Sequence, residues 1–331
     1  MVVINNLING VLRMSESDQK FYLELTKNFR LYKDDLIYPI FITEMAKYHQ
    51  LGSMPGIFQI PYHKIIDSVG DVVDKGIKSI ILFGIPRNKT RDGSLAFSAN
   101  GVVQKTVRTL KSNFGDKLKL ITDICLCHYN ESGHCGITSK NNEIKNDQTV
   151  DYLAKIALSH SIAGADIVAP SSMMDGQVRC IREKLDTEGH KKTQILSFSA
   201  KQSSSLYKPF QSGVFLNFPK SLDKSSYQVS YCNTMEVLRE IEFDIREGAD
   251  MILLKPSITS LDLVYQVSRK YTAPTVVQIV SGEYSMIKAA SKIGVIDEIH
   301  FLLNLLGSLK RSGADKIITY SSLYLSEFMS N

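Results

Sequence analysis

Three cysteines, Cys125, Cys127 and Cys135, fall within eleven residues of a 331-residue chain that carries five in all. They follow the apolar stretch 118–124 and lie in Asp123-Ile124-Cys125-Leu126-Cys127-His128 and Gly133-His134-Cys135-Gly136. Residues two apart on an extended chain point to the same side, so Cys125 and Cys127 share a face. A turn through Gly133 can bring Cys135 back to them. Three thiolates without an obvious fourth protein ligand suit a zinc ion with one coordination position open to water or substrate, the catalytic arrangement. His128 and His134 are either further ligands or hydrogen-bonding neighbours of the ligands. Cysteines packed in a core are the plainer alternative.

Two lysines stand at the ends of apolar runs. Lys255 follows Met251-Ile252-Leu253-Leu254 and precedes Pro256, and Lys201 closes Ile195-Leu196-Ser197-Phe198-Ser199-Ala200. Burial disfavours an ammonium and lowers its pKa, and two such groups on neighbouring strands depress each other further. A neutral amine at pH 7 attacks carbonyls and forms a Schiff base. The competing reading is a pair of lysines that extend to solvent from strand ends. One reactive lysine suggests a class I aldolase. Two lysines beside a thiolate zinc suggest an enzyme that binds two carbonyl substrates covalently.

These groups need a scaffold, and the chain supplies eight short apolar runs, at 36–42, 79–83, 118–125, 166–169, 194–198, 250–254, 275–280 and 316–320. Continuous rather than alternating runs suit parallel strands covered on both faces. Between several of them lies room for a crossover helix; in 148–163, Val150, Leu153, Ile156, Ala157 and Ile162 recur near helical spacing. Gly164-Ala165-Asp166, Gly248-Ala249-Asp250 and Gly313-Ala314-Asp315 repeat one helix-to-strand junction, with glycine as a left-handed cap. Repeated βα units close most naturally as an α/β fold of the (β/α)8 TIM-barrel type. An open doubly wound sheet is the alternative, but no glycine-rich phosphate loop follows the first run. A barrel places chemistry at the C-terminal ends of its strands. There stand Asp123 with the cysteines, Ser171, Lys201, Lys255, Ser281 and Tyr320. The expected division is an N-terminal arm over residues 1–33 and a catalytic barrel over 34–331.

Bulk properties narrow the setting. Hydrophobic residues make up 44% and charged residues 22%, ordinary for a soluble globular chain. The net charge of +5 is spread over 39 basic and 34 acidic residues, with no basic block to bind nucleic acid. An odd cysteine count with three clustered is no disulfide framework, and a reducing cytoplasm is expected. No stretch reaches the length of a membrane span, and the first residues lack the basic start of a signal peptide.

The chain resembles the porphobilinogen synthase (5-aminolevulinate dehydratase) family. The cysteine segment is similar to that family's zinc motif. Ser53-Met54-Pro55-Gly56, Leu82-Phe83-Gly84-Ile85-Pro86, Val168-Ala169-Pro170-Ser171, Met173-Met174-Asp175-Gly176, Ser199-Ala200-Lys201, Leu254-Lys255-Pro256, Val280-Ser281-Gly282-Glu283-Tyr284 and Ile318-Thr319-Tyr320 also match. The likeness runs over about residues 36–325. It implies condensation of two 5-aminolevulinate molecules to porphobilinogen in tetrapyrrole (haem) synthesis, with loss of two waters. It implies Schiff bases at Lys255 and Lys201, Lys255 holding the substrate that becomes the propionate-bearing half. Ser281 and Tyr320 would then bind that substrate's carboxylate, and zinc on the three cysteines would meet the second substrate. Asp123 would transfer protons or orient the amine. Ser171, Gln211, Lys224 and Gln228 count among the substrate-binding residues, and Tyr207 as a pocket wall. The resemblance further implies a homo-octamer with an embracing arm, and an allosteric magnesium ion at Glu240, which by itself reads as a solvated helix residue.

Several charged positions of the family pattern differ. Gln211 stands where an arginine is usual, Lys224 replaces the second arginine of the carboxylate clamp, and Lys208 replaces a glycine. Ser172 replaces an aspartate, and Gln177 and Gln59 replace arginines. Arginine grips a carboxylate with a bidentate fork, whereas lysine is a point charge and glutamine is neutral. The expectation is an active enzyme with a weakened second-substrate clamp, to which Lys208 could return a charge. A family member that kept the fold and serves as a binding or regulatory protein is the competing class.

Overall fold

The computed structural model describes residues 31–139, 141, 143–214 and 223–329. Most of the expected N-terminal arm, residues 1–30, therefore lies outside the described residues. Ten strands run β1 (Leu36–Thr43), β2 (His49–Gln50), β3 (Phe58–Pro61), β4 (Ser79–Ile85), β5 (Lys119–Ile124), β6 (Ile167–Pro170), β7 (Gln194–Lys201), β8 (Met251–Lys255), β9 (Thr275–Gln278) and β10 (Lys316–Ile318). The parallel order β1-β4-β5-β6-β7-β8-β9-β10 closes through a β10–β1 pairing, Leu36 opposite Ile317. This is the expected eight-stranded (β/α)8 barrel. The eight expected runs became its eight strands. The hairpin of β2 and β3, which lies beside the upper end of β1, was not foreseen. Its two short strands leave too little pattern to read.

Between and after the strands lie α1 (Ile65–Asp74), α2 (Val102–Phe114), α3 (Asn146–Ala163), α4 (Gln177–Thr187), α5 (Lys208–Val214), α6 (Thr234–Arg246), α7 (Leu261–Lys270), α8 (Ser281–Lys292), α9 (Glu298–Ser312) and α10 (Ser322–Leu325). Successive strand residues point to opposite faces, and both faces are buried. Ile80, Leu82, Ile252, Leu254, Val277 and Ile317 pack outward against helices such as α2 and α9. Their alternates Ile81, Phe83, Leu253, Val276 and Ile318 join Ile37, Phe41 and Phe198 in the cluster that fills the barrel. That two-sided burial is why the strands read as unbroken apolar runs. On α3, Leu153, Ile156 and Ala157 are buried, but Ile162 is 65% exposed. Nine residues beyond Leu153 turn the helix to its opposite side.

The repeated Gly-Ala-Asp junction has a common construction. Gly164, Gly248 and Gly313 adopt φ of 107°, 103° and 106°, the left-handed region that ends a helix. The aspartate two residues on then reaches the preceding strand. Asp166, Asp250 and Asp315 accept the backbone N–H of Leu120, Ile195 and Thr275 at 2.7, 2.8 and 2.7 Å. Each unit thus fixes the start of its neighbour. The bottom of the barrel is tied together by three copies of one device, leaving the top free for chemistry.

Candidate active site

Strand alternation decides which side chains enter the barrel mouth. On β8, Leu253 faces inward, so Lys255 does too, at the strand's end. On β7, Ser197 faces outward, where its Oγ donates to Asp244 of α6 at 2.7 Å. Strict alternation would send Lys201 outward as well. A register shift between Ser197 and Ala200 opposes three steps of β7 to two of β8. This bulge turns Lys201 inward, directly opposite Lys255. The Lys201 ammonium donates to the Ser171 carbonyl at 2.5 Å and lies 3.9 Å from Cys135 Sγ.

Lys255 is buried and sits over two ring faces, 4.5 Å from the Phe198 centroid and 5.4 Å from that of Tyr207. Its Nζ donates to Gln278 Oε1 at 3.2 Å. Burial, then the positive charge of Lys201, brings its pKa down to about 7. The amine therefore has a large neutral fraction near neutral pH. Asp123, next to both lysines, is pushed up to about 6 by burial, against the pull of the Ser171 hydroxyl and the two ammonium groups. Among the described residues its Oδ1 has no hydrogen-bond partner.

The three cysteine sulfurs are buried and lie within 4.8 Å of one another, with Cys125 and Cys127 3.3 Å apart. A tetrahedral zinc with Zn–S of about 2.3 Å holds sulfurs about 3.8 Å apart, so the donor set fits that ion. Hydrogen bonds from the Cys125 and Cys127 thiols, then the charges of Lys201 and Lys224, hold Cys135 well below an ordinary thiol. Burial pushes Cys125 up to about 11. Neither histidine joins the sulfurs among the described residues. His134 Nδ1 is 3.2 Å from the Tyr227 hydroxyl, which accepts the Cys135 backbone N–H at 3.3 Å. His128 is buried with its ring 5.6 Å from that of Phe210. Burial first, then Lys224, lowers its pKa to about 3.

One pocket at the C-terminal end of the barrel collects Asp123, Cys127, Cys135, Ser171, Lys201, Tyr207, Gln211, Lys224, Gln228, Lys255, Ser281 and Tyr320. Of the residues singled out from sequence, Cys125 completes the sulfur cluster next to it. Glu240 stands apart on α6, half-buried and pushed up to about 7 by burial and then by Asp244 and neighbouring carboxylates. Lys208 is exposed at the start of α5 and is not part of the lining. Ser281 opens α8 rather than ending β9, and its Oγ accepts the Phe210 N–H and donates to the Leu206 carbonyl, both at 3.1 Å. The segment 204–211 is thereby drawn over the mouth. Glu283 secures the same corner, accepting from Ser257 Oγ and from the backbone N–H of Ile258 and Val280. Gln278 and Phe210 also line the pocket and were missed. Gln278 could have been found as a polar residue two places beyond an inward-facing valine.

Fold and site together define the class: a (β/α)8-barrel enzyme with two lysines and a buried thiol cluster in one pocket. The family model for delta-aminolevulinic acid dehydratase matches residues 12–328. The chain is 47% identical over 297 residues to the delta-aminolevulinic acid dehydratase of Methanothermus sociabilis, covering 89% of this chain and 91% of that one. The enzyme of the same description from Archaeoglobus fulgidus is 46% identical over 299 residues, covering 90% and 92%. The crystal structure of Toxoplasma gondii delta-aminolevulinic acid dehydratase (porphobilinogen synthase), in complex with porphobilinogen, is similar with a TM-score of 0.88. It is 34% identical and covers 96% of this chain and 92% of its own. The chain belongs to the delta-aminolevulinic acid dehydratase family, a family of lyases.

Proposed function

We propose that this chain condenses two molecules of 5-aminolevulinate into porphobilinogen with loss of two waters. The observation that carries this reading is the direct opposition of Lys201 and Lys255 in one pocket, with Asp123 beside them. The Lys255 lone pair attacks the keto carbon of the first substrate; the carbinolamine loses water and leaves an imine. Lys201 does the same for the second substrate. Ser281 and Tyr320 supply hydroxyl groups for the first carboxylate, and Gln211, Lys224 and Gln228 face the second, with Ser171 and Tyr207 as walls. Oδ1 of Asp123, without a hydrogen-bond partner among the described residues, is the proton acceptor for the carbon–carbon and carbon–nitrogen bond-forming steps. Zinc on Cys125, Cys127 and Cys135 supplies Lewis acidity at the second substrate.

A magnesium ion at Glu240 would complete its shell mostly with water, as that ion commonly does. Among the described residues, Glu240 joins no group of three converging ligand atoms. Among the described residues no helix is long and apolar enough to cross a membrane. A homo-octamer in the cytoplasm accords with this reading, and light scattering of the purified protein tests the assembly.

The deciding experiment measures porphobilinogen formation with and without zinc and magnesium, and traps the enzyme with 5-aminolevulinate and borohydride. Adducts at both lysines and zinc-dependent product are expected. One trapped lysine with no metal requirement would favour an aldolase-type lyase, and no adduct at all a binding protein.

A further inference from the structure

Lys255 has one hydrogen-bond acceptor among the described residues, Gln278 Oε1 at 3.2 Å. Gln278 is 3% exposed and ends β9, the strand next to β8. It faces inward two residues beyond Val276, as Lys255 does two beyond Leu253. The faces of Phe198 and Tyr207 also lie against the amine and attract a cation, but accept no directed N–H bond of comparable strength. Asp123 and Lys201 act on it through their charges, and neither hydrogen-bonds it among the described residues.

We infer that Gln278 is a positioning residue for the Schiff base on Lys255, holding the single N–H of its protonated form. This rests on the Schiff-base reading of Lys255 and adds to it. Attack of the Nζ lone pair on the ketone makes a new C–N bond and a carbinolamine. Loss of hydroxide with one proton, as water, leaves the imine. Protonation of the imine nitrogen then gives an iminium with one N–H. Before reaction the amine can turn its N–H bonds among several directions. Afterwards the one N–H and the C=N plane are fixed together, so the acceptor of that N–H sets which face of the imine looks into the pocket. Gln278 Oε1 already stands at hydrogen-bond distance. A hydrogen bond from a charged donor is also among the stronger kinds, and it favours the iminium over the free amine.

The test uses the full-length zinc-loaded protein and 5-aminolevulinate, with initial rates of borohydride-trapped adduct read peptide by peptide at Lys255 and Lys201. Gln278→Met keeps the length and removes the oxygen; Gln278→Glu keeps an acceptor. Trapping at Lys255 is expected to fall about tenfold or more in Gln278→Met. The Lys201 adduct in the same sample should stay within about twofold, and Gln278→Glu should trap at Lys255 faster than Gln278→Met. Unchanged trapping at Lys255 in Gln278→Met overturns the inference. So does an equal fall at both lysines, or a Gln278→Glu variant no better than Gln278→Met. Absence of a Lys255 adduct already in the unaltered protein instead overturns the Schiff-base reading itself, and the inference with it.

Discussion

Lys224 Nζ lies 3.4 Å from Cys135 Sγ, and both are buried. The lysine is thus a partner of the sulfur cluster as well as a pocket wall. Burial alone would lower its pKa; the negative charge of Cys135, Cys127 and Cys125 outweighs that and raises it. An ammonium carries three donors, so one N–H can serve the sulfur while another meets a substrate carboxylate. Arginine at the same place would offer a rigid planar fork instead.

The first prediction follows from that contact. Three thiolates around one divalent ion leave an excess negative charge, which Lys224 offsets. Lys224→Met should weaken zinc binding about 10–100-fold, the usual loss when an outer partner of a ligand is removed. Lys224→Arg should retain most of it. Competition with a chromogenic chelator measures both, and wild-type affinity in Lys224→Met would show that the ammonium does not act on the metal site.

Gln211 lines the pocket with Lys224 and Gln228 but carries no charge. A charge-assisted hydrogen bond is stronger than a neutral one, with a net worth of about 1.5–3 kcal/mol. Gln211→Arg should therefore lower the Michaelis constant for 5-aminolevulinate about tenfold, with a smaller change in kcat. Steady-state kinetics decide it. A Michaelis constant that does not move would mean Lys224 and Gln228 already satisfy the carboxylate.

Lys255 predicts a pH dependence of first-substrate capture. Its pKa is brought down to about 7, and only the neutral amine attacks a ketone. The adduct-forming rate at Lys255 should level off above about pH 8. It should fall about tenfold per pH unit well below pH 7, where the ammonium dominates. Single-turnover trapping between pH 5.5 and 9 reads this directly. A midpoint near 10 would return Lys255 to ordinary solvated behaviour.

Much of this arrangement could be read before the fold was known, and the limits have physical causes. The eight strands stood out because both of their faces are buried. Their ends were less sharp. Apolar or β-branched residues continue at Ile279, Val280 and Thr319, and Ile279 and Thr319 still donate to Ile318 and Ile37, so the runs overshoot β9 and β10, which end at Gln278 and Ile318. The cysteine cluster is local in sequence and was legible from spacing. The contact of Lys224 with Cys135 spans 89 residues and was not. Lys201 was placed in the pocket by its position at a strand end. What turns it inward is the extra residue between Ser197 and Ala200. Nothing in Ser-Phe-Ser-Ala marks a bulge, because serine and alanine are accommodated on either face.

Gly282 gives the last prediction, because it bears on how the mouth is covered. A Cβ at this position would lie 2.5 Å from the Leu206 carbonyl oxygen and 2.6 Å from its Cα. These are backbone atoms, which cannot rotate away as a side chain would. Gly282→Ala must therefore move the turn at Ser205–Tyr207 away from the start of α8. That would stretch the bonds of Ser281 Oγ to Leu206 and Phe210 and draw Tyr207 from the ring face it offers Lys255. Overpacking of this kind costs about 1–3 kcal/mol. The barrel core does not include this contact, so a lowered but still cooperative thermal transition is expected. With Ser281 in its proposed role at the first substrate's carboxylate, its displacement should raise the Michaelis constant severalfold. Thermal melting and steady-state kinetics on the same preparation separate the two effects. Unchanged melting and kinetics together would mean the turn shifts without consequence for Ser281, and that its two hydrogen bonds do not shape the site.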